Sequence, residues 1–175
     1  ARVLSLAAQP GTQRWAIGDA RGRLQVVDVA TGASAGQDLK SPGAKPVTRL
    51  AWSPDGARLA SVCDERSVCL WDVATSGTLR LRAVLAGHES TVSALAWAPS
   101  GQRLASADIS ARLLVWRADP DNGPALMLAD AEGAALSDIA LRRDGTALAA
   151  GGVDGAWVAL VAARAAAAAP FALAV

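Results

Sequence analysis

The stretch VTRLAWSPDGARLASVCDERSVCLWDVATSG (residues 47–77) returns, altered but recognisable, as VSALAWAPSGQRLASADISARLLVWRAD (residues 92–119). Trp52 matches Trp97, Pro54 Pro99, Gly56 Gly101, Leu59 Leu104 and Trp71 Trp116, and every pair is 45 residues apart. Two weaker copies flank them, VLSLAAQPGTQRWAIGDARGRLQVVDVATG (residues 3–32) and LSDIALRRDGTALAAGGVDGAWVALVA (residues 136–162). Pro10 lies 44 before Pro54, Gly145 lies 44 after Gly101, and Val27 and Leu160 fill the slots of Trp71 and Trp116, again at offsets of 44. A unit repeated at this period cannot bury its apolar face alone, so neighbouring copies must share a core.

Each copy reads as short strands separated by turns. In the third, residues 93–97 alternate small or polar with apolar, Pro99-Ser100-Gly101 makes a turn, and 103–107 and 112–116 give two more strands. A fourth strand is expected in the gap before the next copy. For the second copy it is 78–85, where Leu79, Leu81, Ala83 and Leu85 alternate with Arg80, Arg82 and Val84, as in an outer strand with one wet face. The alanine tract 165–169 favours helix by composition but is too short to form one alone. It is expected to be a loop leading into a last strand at 171–175. With 175 residues, 52% of them hydrophobic and 19% charged, the chain has the composition of one globular domain, 1–175, built of units at about 1–40, 46–86, 91–130 and 135–175.

The pair Gly87-His88, the turn Pro54-Asp55-Gly56 and the dipeptide Trp71-Asp72, set in units of ~40–45 residues, resemble the signature of the WD40 repeat family. The resemblance implies an all-β fold, a WD40-type β-propeller with four blades of four antiparallel strands, here an open or partial arc. It also implies a hydrogen-bonded chain inside each blade, made of a histidine, a serine or threonine, an aspartate and a tryptophan. The third copy offers His88, Ser106 and Trp116, with Ser110 where the aspartate is expected. The second has Glu65 there and no preceding histidine; the fourth has Asp154 in place but Leu160 instead of tryptophan. No copy is expected to carry the full set, so packing of Trp, Leu and Val should dominate blade stability, with His88, Ser106, Trp116, Trp71, Asp72 and Asp154 in structural roles.

His88 is the only histidine, and two chemical readings compete for it. Catalysis would need a nucleophile and an orienting acid; Ser93 and Asp108 are near in sequence, but the strand assignment sets them in different parts of the blade. The favoured reading is a structural peg, with no catalytic residue, cofactor or metal. Acid pairs such as Asp64-Glu65 fall in turns, where aspartate serves the backbone, and too few ligands gather for calcium. The two cysteines, Cys63 and Cys69, flank an expected hairpin and could bridge across it, but their scarcity fits a reducing, cytoplasmic setting better than a disulfide scaffold. Trp52, Trp71, Trp97 and Trp116 belong to the core, and core is also the default for Trp15 and Trp157.

The resemblance further implies a partner-binding face built from two positions flanking the start of each first strand and one just before the aspartate slot, in the turn between the second and third strands. These are Arg2, Leu4 and Ala20; Pro46, Thr48 and Asp64; Thr91, Ser93 and Ile109; and Ala135, Ser137 and Val153. Arg2, Thr48, Asp64, Ser93 and Ile109 are the candidates from this set. A net charge of +1 with scattered arginines argues against nucleic acid or membrane as partner, and no signal peptide or bilayer-spanning run is evident. The expected function is a non-enzymatic protein-interaction scaffold within a larger assembly; the alternative is a sensor or regulatory module of a multidomain signalling protein, with an NTPase or kinase domain elsewhere. The chain begins at Ala1 rather than methionine, as a processed product or excised piece does, and runs from a first strand to a fourth, so its open sides are expected to be covered by further blades or another WD40 chain.

Overall fold

A computed structural model describes residues 1–35, 39–119, 126–130, 135–142, 147–152, 157–161 and 172–174. Four antiparallel sheets of four strands follow one another along the chain, and in each the strand order is the chain order. Sheet one holds β1 (Val3–Ala8), β2 (Arg14–Asp19), β3 (Arg23–Asp28) and β4 (Leu39–Lys40). Sheet two holds β5 (Leu50–Trp52), β6 (Arg58–Asp64), β7 (Ser67–Val73) and β8 (Leu79–Ala86). Sheet three holds β9 (Val92–Trp97), β10 (Arg103–Asp108), β11 (Arg112–Arg117) and β12 (Leu126–Asp130). Sheet four holds β13 (Leu136–Leu141), β14 (Ala147–Gly152), β15 (Trp157–Val161) and β16 (Ala172–Ala174). Among the described residues the sole helical element is a 3-10 turn at Pro42–Ala44. The last strand expected from the sequence is present, since Ala172–Ala174 pairs with β15; the alanine tract before it lies outside the described residues.

Turn chemistry sets the first hairpins of sheets two and three. Gly56 (φ 67°) and Gly101 (φ 69°) close tight turns in which their amides donate to Ser53 O and Ala98 O at 2.9 and 2.8 Å. A left-handed φ suits glycine, which has no Cβ to clash. One non-glycine takes the same conformation in the next turn of sheet three: Ala111, at φ 69°, where sheet one has Gly22 at φ 76°.

The chain divides into two compact units, Ala1–Ala86 and Gly87–Val175, each of two sheets. In the first, Trp52, Leu59, Trp71 and the half-buried Leu50 of sheet two pack on Ala7, Ala16, Leu24 and Val26 of sheet one. The Trp52 indole also donates to Ala7 O at 2.9 Å. The second unit repeats the seam with smaller parts: Ile139, Leu141 and Leu148 of sheet four against Ala96, Ala105, Leu113 and Val115 of sheet three. Small or branched residues on one face thus receive large ones from the next, as close packing requires, and each large side chain buried contributes about 1.5–3 kcal/mol.

Two expectations need correction. Trp15 is 39% exposed, because its face of sheet one carries no second sheet within the unit. In β8 the alternation fails at Leu81, which is 40% exposed: Leu70 faces Ala83 while Trp71 faces Leu81, and the skipped residue changes the side on which the strand presents its side chains.

Candidate functional site: a buried relay in sheet three

Gly87 and His88 lead into β9, and the glycine is dictated by space. A Cβ there would meet the Trp116 ring at 3.1 Å and Leu114 Cδ1 at 3.2 Å. Arg112 holds the same segment from β11, donating to Gly87 O at 3.2 Å and pairing with Glu89 at 2.8 Å. His88 is thereby placed over the end of β10. Its Nδ1 lies 2.8 Å from Asp108 Oδ2 and its Nε2 2.6 Å from Ser106 Oγ, while the Trp116 indole N–H donates to the same Ser106 oxygen at 2.7 Å. Ser106 and Asp108 are fully buried and His88 nearly so.

This corrects the expectation that no copy carries the full set: the third does. The aspartate is Asp108, not Ser110. A register shift between Ala107 and Asp108 swings the Asp108 carboxylate toward the imidazole, and its other oxygen accepts from the Ser110 amide, the Ser110 hydroxyl and the Arg112 amide at 2.9, 2.7 and 3.0 Å. Ser110 therefore serves Asp108 instead of replacing it.

The partners fix the protons. Ser106 oxygen already accepts from the indole, so its own hydrogen goes to His88 Nε2, and His88 Nδ1–H donates to Asp108. The imidazole is neutral. Burial pushes its pKa below the ordinary 6.5, although the Asp108 hydrogen bond and charge pull the other way. For Asp108, burial works to raise the pKa, but hydrogen bonds from Ser110, His88 and the Arg112 amide together hold it below 3.8.

Aspartate, histidine and serine linked in this order have the connectivity of a hydrolytic triad, with Ser106 and not Ser93 as its serine. Ser93 instead donates to Ala107 O at 3.2 Å. Ser106 Oγ is not available as a nucleophile: it lies buried, with its hydrogen on the imidazole and a lone pair on the indole. The geometry suits a clamp that ties the loop before β9 to β10 and β11.

Sheet two keeps half of this relay. Trp71 donates to Ser61 Oγ at 2.8 Å, as Trp116 does to Ser106. Cys63, four residues after Leu59 as Asp108 is after Leu104, is disulfide-bonded to Cys69 across the hairpin, with Cα atoms 5.6 Å apart. The preference for separate thiols is thus overturned, because the tight turn at Asp64–Ser67 brings the two residues together. Ser41 takes the part of the loop peg by donating to Cys63 O at 2.9 Å. In sheet one, Asp19 occupies the aspartate position; burial works to raise its pKa, and the amides of Arg23 and Arg21 outweigh this and lower it. Asp72 makes an exposed ion pair with Arg82 at 3.3 Å, a contact of small energetic weight. Asp154 and Val153 lie outside the described residues.

Backbone bonds join two of the proposed partner-binding groups. Ala20 N donates to Arg2 O at 2.9 Å, and Ile109 N to Thr91 O at 3.0 Å. Arg2 is exposed, Ile109 is 49% exposed, Thr48 and Asp64 are half-buried, and Ser93 is buried. Among the described residues, no group of three or more His, Cys, Asp or Glu side chains is placed to hold a metal, and no helix is long and apolar enough to cross a membrane.

The family model described as "WD domain, G-beta repeat" matches residues 36–72 and 79–117. Those two stretches match the WD40 repeat. Its fold is similar to that of the β-propeller domain of Cps50 (Swd1) from Myceliophteria thermophila, with a TM-score of 0.76 at 17% identity over 90% of this chain. The match covers 52% of that protein's chain, so the present chain spans about half of its length. No curated protein matches the sequence. The fold is therefore a WD40-type β-propeller fold, and the third sheet shows how a repeat with the complete relay is held.

Proposed function

We propose that this protein is a non-enzymatic WD40 scaffold that docks other proteins as part of a larger assembly. The observation that carries the reading is the closure of the relay. The chain's only imidazole and its aligned serine and aspartate are buried and committed to each other, while the side chains left at the loop ends, Arg2 and Ile109 foremost, are exposed. A charged residue at one loop end and a branched apolar one at another suit recognition of a protein surface, where a few anchors carry most of the energy. Thr48 and Asp64 extend the candidate face; Ser93, buried behind Ala107, does not. A cytoplasmic location belongs to this reading and rests on the scarcity of cysteine, with the Cys63–Cys69 disulfide standing against it.

Quantitative affinity capture tests the proposal. Partners retained by the wild-type chain should be lost at least about tenfold by the paired substitutions Arg2→Glu and Ile109→Asp, since each removes an anchor of ~1–2 kcal/mol. Equal retention by the variant would remove this face from the account, and labelling of Ser106 by a serine-directed phosphonate would overturn the non-enzymatic reading.

A further inference from the structure

Within the first unit the alternating strand directions bring the β2–β3 turn, the β4–β5 loop and the β6–β7 turn to one end. These connections hold one another in place. Ser41 N donates to Gly22 O at 2.8 Å, Val47 N to Asp19 O at 3.0 Å and Val62 N to Arg49 O at 3.1 Å, while Ser41 Oγ donates to Cys63 O at 2.9 Å. Gly22 lies so close to the β4–β5 loop that a Cβ there would meet Lys45 O at 2.7 Å.

Cationic side chains scattered along the sequence are gathered at this end. Arg21, Arg23, Lys40, Lys45, Arg49 and Arg66 are all exposed. The aspartates beside them turn inward to the backbone: Asp19 Oδ1 accepts from the Arg21 and Arg23 amides at 2.7 and 2.9 Å, and Asp64 Oδ1 from the Arg66 amide at 2.7 Å. Asp19 is buried and Asp64 half-buried, so among the described residues of this end Glu65 is the one exposed carboxylate. The opposite end of the unit is balanced, with Arg14, Arg58 and Arg80 set among Asp28, Asp55 and Asp72.

Cations on several fixed turns match a chain that offers several anions in succession, and a guanidinium takes a carboxylate through two parallel N–H donors. Among the described residues this end exposes no aromatic ring, so nucleobases would find no stacking surface. A net charge of +1 also gives the chain as a whole little long-range pull on a polyanion.

We propose that this end of the first unit docks an acidic segment of a partner protein, a run of aspartate or glutamate side chains. The proposal rests on the docking role above and deepens it by naming the chemistry of the partner.

Fluorescence anisotropy with a labelled peptide of alternating aspartate and glycine tests it. The protein should bind the peptide in dilute salt and release it as salt rises from about 0.05 to about 0.3 M, because exposed charges are screened. Arg21→Glu with Lys45→Glu should weaken binding at least about tenfold. Arg66→Glu, on a separate turn, should weaken it in the same direction and serves if that pair does not fold. Arg80→Glu with Arg117→Glu makes the same change of net charge at exposed strand positions, and should leave binding within about twofold. An equal loss in both paired variants would mean attraction by net charge alone and would overturn the site. Absence of binding in dilute salt would overturn it too, as would binding of a phosphoserine peptide or a single-stranded oligonucleotide but not of the acidic peptide. Capture of partners through Arg2 and Ile109 is read separately, and none of these outcomes alters it.

Discussion

Sheets two and three start from nearly the same sequence and hold their hairpins by different chemistry. Both bury a tryptophan whose N–H donates to a serine on the neighbouring strand, Trp71 to Ser61 and Trp116 to Ser106. Beyond that serine they part. Sheet three continues through His88 to Asp108, a chain of hydrogen bonds that requires a neutral imidazole and an ionised carboxylate. Sheet two puts Cys63 at the aspartate position, bonds it covalently to Cys69, and uses the Ser41 hydroxyl to fasten the incoming loop. The difference teaches that the fixed requirement is a link from the end of the second strand to its surroundings. A titrating pair and a disulfide both supply it, with sensitivity to acid in one case and to reductant in the other.

The largest effect that would sharpen this contrast is expected from His88→Ala. It leaves the Asp108 carboxylate buried with one partner fewer and empties an imidazole-sized space, at a cost of about 3 kcal/mol in denaturant unfolding. Addition of a dithiol reductant should leave that difference unchanged. The double change Cys63→Ala with Cys69→Ala is expected to cost about 2 kcal/mol, the chain-entropy value for so short a loop, and to abolish the wild-type chain's loss of stability in reductant. If the reductant has no effect on the wild-type chain, the covalent half of the comparison is broken.

Acid gives a gentler test. The folded-state pKa of His88 lies below its unfolded value of 6.5, so the unfolded chain takes up a proton first as pH falls. Stability from the neutral imidazole is complete above 6.5 and declines below it, by at most about 1.4 kcal/mol per pH unit. Asp108, depressed below 3.8, adds a second loss at lower pH. His88→Gln should remove the first decline and keep the second, as measured by urea midpoints across the range. The smallest effect is expected at Ala111→Gly. Release from left-handed strain of ~1 kcal/mol is offset by loss of a buried methyl worth ~0.8 kcal/mol, so the unfolding midpoint should barely move.

The repeat itself was legible because strand period, turn glycines and tryptophans recur together, and a residue such as Gly56 or Trp71 can hardly serve elsewhere. Asp108 was harder to place. Its position depends on a one-residue bulge and on a turn one residue longer than that of sheet two, and neither is encoded by a conspicuous residue. The signal was nonetheless present, since Asp19 and Asp108 follow Trp15 and Leu104 by the same four residues and both accept amides two and four positions on. The disulfide was obscured because cysteine scarcity speaks of the cell compartment, while pairing is set by the geometry of one hairpin. Trp15 was misplaced for a third reason: its strand pattern is that of a core residue, and only the tertiary arrangement shows which sheet face has a neighbour.

The central claim is that the sole imidazole is a neutral link in the architecture. Because the chain has one histidine, nitrogen-15 NMR of the ring reports on it without ambiguity. The account predicts a neutral ring protonated at Nδ1, with slow exchange of that proton and titration only below pH 6.5. A ring that titrates as a free imidazole, or one protonated at Nε2, would contradict it.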